Sequence, residues 1–299
     1  MEVFGLKSQS LRYKMDGFGS VQMYLTPPDY FDLAAPPPAS HGLAQAAAAA
    51  ATTAAAAAAA TATTAMSTST AQPKTTLIVG ASRGIGRELV QQLAQQQPRG
   101  QVIASVRSAV DFGGSPNIRS ITLDQSSAKS ISEAAFGVAA LDTLVVNAAV
   151  GDDERLLDTS DERMAEYMDV NVTGVLRIVK AFLPALKARK TRQIVLVSSA
   201  SGSLTRQVNA QAGFKGPYAV SKAALNMVAV QLHNELHESD GFTVVPIHPG
   251  WVSTDMGRIG GDGGMPVSKS VAGIVKILDK LTPQNSATFY NYDGTTLPW

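Results

Sequence analysis

Residues 75–94 read TTLIVGASRGIGRELVQQLA: a short run of threonine and aliphatic side chains, a turn holding three glycines, and a stretch whose apolar residues recur at helical spacing. The first part has the composition of a buried strand and the last that of an amphipathic helix. Gly80, Gly84 and Gly86 form GxxxGxG rather than GxGxxG. The physical demands are the same, namely a tight turn, close approach of backbone to a pyrophosphate, and a helix N-terminus aimed at its charge. Ser82, Arg83 and Ile85 complete the turn and join the same candidate cofactor-binding set. A glycine-rich turn alone is a weak signal, but directly behind a strand and ahead of a helix it points to a dinucleotide-binding βα unit.

Outward from this unit, short apolar runs alternate with amphipathic stretches. Strands are expected at Thr75–Val79, Gln101–Val106, Ile118–Leu123, Thr143–Asn147, Gln193–Ser198, Thr243–His248 and Ala287–Tyr290, and helices at 84–97, 126–139, 161–190, 218–238 and 266–281. That alternation argues for α/β architecture, a mostly parallel sheet of about seven strands with helices on both faces, in one domain spanning 74–299. Where an NAD-selecting fold places an acid, about 20 residues beyond the glycine turn, the segment VIASVRS ends on Arg107. An arginine there would pair with a 2′-phosphate, and Arg83 would supply a second fork, so NADP(H) is expected. The plain alternative is that Arg107 merely solvates a strand end. Asp124 and Gln125, just past the third strand, are placed to meet an adenine edge, and Asn147 ends the fourth strand on the same side.

Tyr218 and Lys222 open YAVSKAALNMVAVQLHNEL, and their spacing puts both on one helix face. A phenol beside an ammonium should have a lowered pKa and exchange a proton with a carbonyl or alcohol oxygen. A surface Tyr and Lys would show the same spacing. What favours chemistry is the company: QIVLVSSASG reads as a buried strand ending in Ser198 and Ser199, at the carboxyl end where open parallel sheets bind ligands.

Composition narrows the partners. The chain has 299 residues, 45% hydrophobic, with 25 basic and 24 acidic side chains and no cysteine. Near-neutral charge makes no case for nucleic acid or an anionic membrane surface, and the absence of cysteine excludes disulfides and thiolate chemistry. Residues 44–65 hold 16 alanines in 22 positions. With residues 1–73 as a whole they read as a low-complexity, disordered or marginally helical extension, too weakly apolar for a membrane span. Its three basic and four acidic residues do not resemble an Arg-rich transit peptide, and Met66 is an alternative start; a cytoplasmic location is expected, with organelle targeting by the extension left open. His233 and His237 form H-N-E-L-H rather than H-E-x-x-H and read as a solvated helix end, and His248 reads as structural. Thr159–Glu162 has capping-box spacing, which accounts for the acidic cluster Asp152, Asp153, Glu154, Asp158 and Asp161 better than a metal site does. No metal is expected.

In combination these motifs resemble the short-chain dehydrogenases/reductases across essentially all of 74–299: GASRGIG their glycine loop, VNAA their NNAG segment, NVTG their helix asparagine, VSS their active serine, YAVSK their tyrosine and lysine, and HPGWVST their nicotinamide-side loop. The resemblance implies a Rossmann-type doubly wound sheet. The ending FYNYDGTTLPW and the long gap before Tyr218 look like the branch of C-factor, the sniffer carbonyl reductases and fungal norsolorinic-acid-type ketoreductases, which implies NADPH-dependent carbonyl reduction. Carried over by motif, Ser199 would hydrogen bond the substrate carbonyl and Tyr218 would donate the proton. Lys222 would hold the nicotinamide ribose and lower the tyrosine pKa, Asn171 would support a relaying water, and Thr254, with Pro249, Gly250 and Val252, would flank the nicotinamide. Two departures stand out: Ala149 replaces the glycine of NNAG, and Ser199 and Tyr218 lie 19 positions apart, longer than the family's usual separation. The 203–217 insertion and the glycine-rich 257–266 segment are read as the substrate mouth and a mobile lid, suggesting a fairly apolar small-molecule carbonyl. A homo-oligomer is left open, as are alcohol oxidation at the same site and a non-catalytic NADP(H) sensor, although such sensors tend to lose the tyrosine or lysine.

Overall fold

The computed structural model describes residues 73–299 and two short strands nearer the N-terminus. Those strands, β1 (Arg12–Met15) and β2 (Val21–Tyr24), pair antiparallel with Arg12 opposite Tyr24 and Met15 opposite Val21. The two strands fall within the 1–73 segment that the sequence marks as a low-complexity extension. The alanine-rich stretch 44–65 lies outside the described residues.

The second unit is built on seven parallel strands: β3 (Thr75–Val79), β4 (Gln101–Val106), β5 (Ile118–Thr122), β6 (Thr143–Val146), β7 (Gln193–Val197), β8 (Thr243–His248) and β9 (Tyr290–Asn291). Their spatial order is β5-β4-β3-β6-β7-β8-β9. Chain direction across the sheet reverses between β3 and β6, which opens a crevice at the carboxyl ends of these two strands. The eight α-helices among the described residues are α1 (Gly84–Gln96), α2 (Ala128–Phe136), α3 (Asp161–Met168), α4 (Gly174–Lys187), α5 (Leu204–Gln207), α6 (Gly216–Asp240), α7 (Asp255–Ile259) and α8 (Val267–Lys280).

Strand residues alternate between two cores. Leu77, Val79, Leu144, Val146, Ile194 and Leu196 pack with α2, α4 and α6 through Ile131, Ile178, Phe182, Leu225 and Leu232. Ile78, Val102, Val145, Val195 and Ile247 pack on the other face with Leu89, Leu93, Ile274 and Leu278 of α1 and α8. A sheet covered on both faces needs apolar residues at every position, which is why the strands appear in the sequence as unbroken runs. This is the expected doubly wound, Rossmann-type α/β fold. Among the described residues no helix is long and apolar enough to cross a membrane.

The expected boundaries shift where local chemistry intervenes. The single helix expected over 161–190 is two helices joined through a π-type turn, Asp169–Thr173. The cap of α3 is Ser160, whose Oγ accepts from the Arg163 N–H at 3.2 Å, and not the capping box from Thr159. Thr159 instead donates to the Arg155 carbonyl. The last strand is shorter and later than expected because Ala287 adopts φ 58°, a left-handed conformation that breaks the extended run. His233 and His237 are half-buried rather than solvated, tied to Ser286 Oγ and the Phe242 carbonyl, each at 2.8 Å.

Candidate active site

The glycine turn sits at the crevice. Gly80 (φ 81°) and Gly84 (φ 54°) occupy the left-handed region. Gly86 is required for another reason: a Cβ there would run into the Gly80 carbonyl oxygen and the Asn147 amide. Asn147 Nδ2 donates to that carbonyl at 2.9 Å, and the Gly80 N–H donates to Ser105 Oγ at 3.2 Å. The start of α1 is thereby locked between the ends of β4 and β6, its N-terminus facing the crevice. Ser105 was missed from the sequence, although a lone hydroxyl inside VIASV was its signal.

A cleft of about 880 Å³ runs along this edge, lined among others by Gly80, Ser82, Arg83, Gly84, Ile85, Arg107, Asp124, Gln125, Asn147, Tyr218, Lys222, Pro249 and Thr254. Gly86 lies behind the turn. Gly250 and Val252 line a second cleft of about 520 Å³, together with Ser199 and the 206–215 segment. The two clefts meet at Ile85, Ser198, Tyr218, Pro249, Thr254 and Met256, which line both.

Around the first cleft, Arg107 makes no hydrogen bond or ion pair with a described residue, and its charge reaches Asp124. The Asp124 carboxyl is held below the usual range mainly by hydrogen bonds from the Ser126 hydroxyl and backbone, with Arg107 adding to them. Arg83 pairs with Asp255 at 3.0 Å, on exposed side chains. Gln125 donates to the carbonyls of Ala148 (3.1 Å) and Val170 (2.6 Å), while its Oε1 is buried without a partner. A glycine cradle at a helix N-terminus, an unpaired arginine and an orphaned buried amide oxygen together fit a phosphate-bearing dinucleotide. Thr254 caps α7, its Oγ1 accepting from the Gly257 N–H at 3.1 Å.

At the junction the two serines separate. Ser198 Oγ donates to Asn226 Oδ1 at 2.6 Å, deep in the core. Ser199 accepts from the Ser201 N–H at 3.1 Å and hydrogen bonds to Tyr218. Asn226 extends the Tyr218, Lys222 spacing by one more step of four, so its place on that helix face was legible.

Burial pushes the Tyr218 phenol up to about 12, with the Ser199 hydrogen bond opposing. Burial likewise pushes Lys222 down to about 7. Lys222 Nζ donates to the Val197 carbonyl at 2.9 Å and lies 5.7 Å from the centre of the tyrosine ring. The phenol lowered by a neighbouring ammonium is therefore not what the structure shows: both groups are taken out of water, and desolvation outweighs their proximity.

Asn171 is fully buried and lines neither cleft. Its amide spans the Val150 backbone, accepting from the N–H and donating to the C=O at 2.9 Å, and it also donates to Ser221 Oγ at 3.0 Å. Its place in the π-type turn, an arrangement frequent at functional sites, ties the loop after β6 to the helix of Tyr218 and Lys222. The 257–266 segment is less free than expected, since Met265 exchanges backbone bonds with Trp251 and Ser253 at 2.8 and 2.9 Å.

Comparison with known proteins agrees with this geometry. The family model for short chain dehydrogenase matches residues 74–260. An uncharacterised oxidoreductase of Schizosaccharomyces pombe is 32% identical over 253 residues, covering 76% of this chain and 98% of the relative. The NADPH-bound carbonyl reductase from chicken fatty liver superposes with a TM-score of 0.70 at 29% identity, covering 76% of this chain and 95% of that one. Carbonyl reductase Sniffer of Drosophila melanogaster does so at 0.67 and 26%, covering 76% and 100%. Sequence motifs, sheet order and these matches agree that the chain belongs to the short-chain dehydrogenase/reductase family of oxidoreductases.

Proposed function

We propose that this chain is an NADPH-dependent reductase of ketone, aldehyde or quinone-like carbonyls, with Tyr218 as general acid. The observation that carries the reading is that Tyr218 lines both clefts, with Lys222 in the wall of the first and Ser199 in the wall of the second. The likeness to a carbonyl reductase whose structure holds NADPH supports it. When bound, the nicotinamide cofactor supplies the hydride. The glycine turn would hold its pyrophosphate, Arg107 its 2′-phosphate, and Gln125 Oε1 a donor edge of its base.

The protein's own contribution is orientation and a proton. With its phenol near 12, Tyr218 is protonated at neutral pH, as a proton donor must be. The hydroxyls of Ser199 and Tyr218 together present donors to a carbonyl oxygen as charge develops on it. Lys222, buried and near 7, is poised to exchange a proton at neutral pH, while Asn171 positions its helix against the Val150 loop. The same groups run in reverse for alcohol oxidation. Tyr218→Phe should retain NADPH binding and lose roughly 100- to 10,000-fold in turnover on a panel of quinones, aldehydes and aryl ketones. Wild-type turnover in that variant would remove Tyr218 from the acid role, and NADPH binding without consumption by the wild-type protein would favour a sensor.

A further inference from the structure

The second cleft has an uneven distribution of charge. Its walls carry aromatic rings, with Phe214 edge-on to the Tyr218 ring at 5.3 Å and Trp251 also lining it. The charged side chains lining it are two cations, Arg206 and Lys215, and one anion, Asp153. The Arg206 guanidinium makes no hydrogen bond or ion pair with a described residue.

Arg206 is nevertheless on a secured platform. It lies in α5, where the fully buried Ser203 accepts from the Arg206 N–H at 3.2 Å and donates to the Pro298 carbonyl at 2.7 Å. Thr205 Oγ1 adds a bond to the Trp299 carbonyl at 2.9 Å. A one-turn helix is thus anchored to the C-terminal strap at two points, which limits the ordering that a ligand would have to impose. His248 lines the same cleft, and its Nδ1 is buried with no hydrogen-bond partner among the described residues. Burial first, then the charge of Arg206, pushes His248 down to about 4, with Asp293 opposing, so the ring is neutral near pH 7. An exposed cation without a counter-ion and a buried nitrogen without a partner line one cavity, where an anionic ligand would engage the first and satisfy the second.

We propose that Arg206, with His248 beside it in the wall, holds a carboxylate carried by the carbonyl substrate, so that the cleft selects aromatic or apolar carbonyl compounds with an acidic group. The proposal rests on the second cleft being the substrate site of a carbonyl reductase. A single guanidinium fork and one neutral imidazole donating from its Nδ1–H tautomer match a carboxylate, and Asp153 disfavours a more highly charged anion.

The test uses a matched pair, para-acetylbenzoate and its methyl ester, with the full-length protein and NADPH. The wild-type kcat/KM should favour the acid by on the order of 10-fold. Arg206→Gln should abolish the preference while leaving ester turnover within about twofold, and Arg206→Lys should restore part of it. Titration calorimetry with both compounds reads the same preference without turnover. Equal kinetics and equal binding of acid and ester in the wild type, or equal losses for both in Arg206→Gln, would overturn the proposal. Acid-selective binding that Arg206→Gln removes, without NADPH consumption, would uphold the anion site and refute the reductase reading.

Discussion

Replacing Lys222 by methionine tests the central electrostatic feature of the site. In the folded chain burial brings the ammonium from 10.5 down to about 7, so between those values the unfolded state binds the extra proton and the folded state does not. Stability must then rise with pH through this window. Keeping the lysine buried costs about 4 kcal/mol at pH 7, where the unfolded lysine is charged and the folded one half so, and about 2 kcal/mol at pH 9. Methionine has no proton to lose. The stability difference, variant minus wild type, should therefore fall, in signed value, by about 2 kcal/mol from pH 7 to pH 9. Loss of the bond to the Val197 carbonyl and the changed packing shift both ends equally, so the change with pH isolates the titration. Urea unfolding of both proteins at several pH values, without added nucleotide, reads it. A difference that stays constant over the window would mean that the ammonium is not desolvated, and the reasoning on Lys222 would fail.

Other substitutions probe the neighbouring parts. Gly86→Ala places a methyl group against the Gly80 carbonyl oxygen and should abolish NADPH binding in a fluorescence titration; unchanged affinity would separate the glycine turn from the cofactor. Arg107→Ser should raise the KM for NADPH by on the order of 10-fold or more and leave NADH nearly unchanged, whereas equal effects on both would refute a 2′-phosphate contact. Ser199→Ala should lower kcat by roughly 100-fold or more. Ser198→Ala, which breaks the bond to Asn226 in the core, should act chiefly on stability, by about 1–3 kcal/mol in urea. Reversal of that pattern would exchange the roles of the two serines.

Why the sequence revealed some of this and not the rest follows from what each kind of pattern encodes. Apolar runs such as Leu144–Val146 and Ile194–Val197 mark strands because both faces of this sheet are covered, and the glycine turn is legible because its backbone tolerates little else. The π-type turn at Asn171 leaves no such trace, since one extra residue in a helix barely disturbs its apolar period. Spacing likewise puts Tyr218, Lys222 and Asn226 on one face without saying what that face meets. A charge argument from spacing alone lowers the phenol, while the packed structure raises it, because Val197, 25 positions from Lys222, holds the ammonium under the same roof that buries the ring. The direction of a pKa shift is a property of tertiary burial, and so two residues that share a helix face can be read from spacing while their protonation states cannot. The same reasoning singles out Arg206 and His248. Their sequence positions carry no period in common, and only the fold brings α5 and the carboxyl end of β8 to one cleft, which an unpaired cation and an unpaired nitrogen then share.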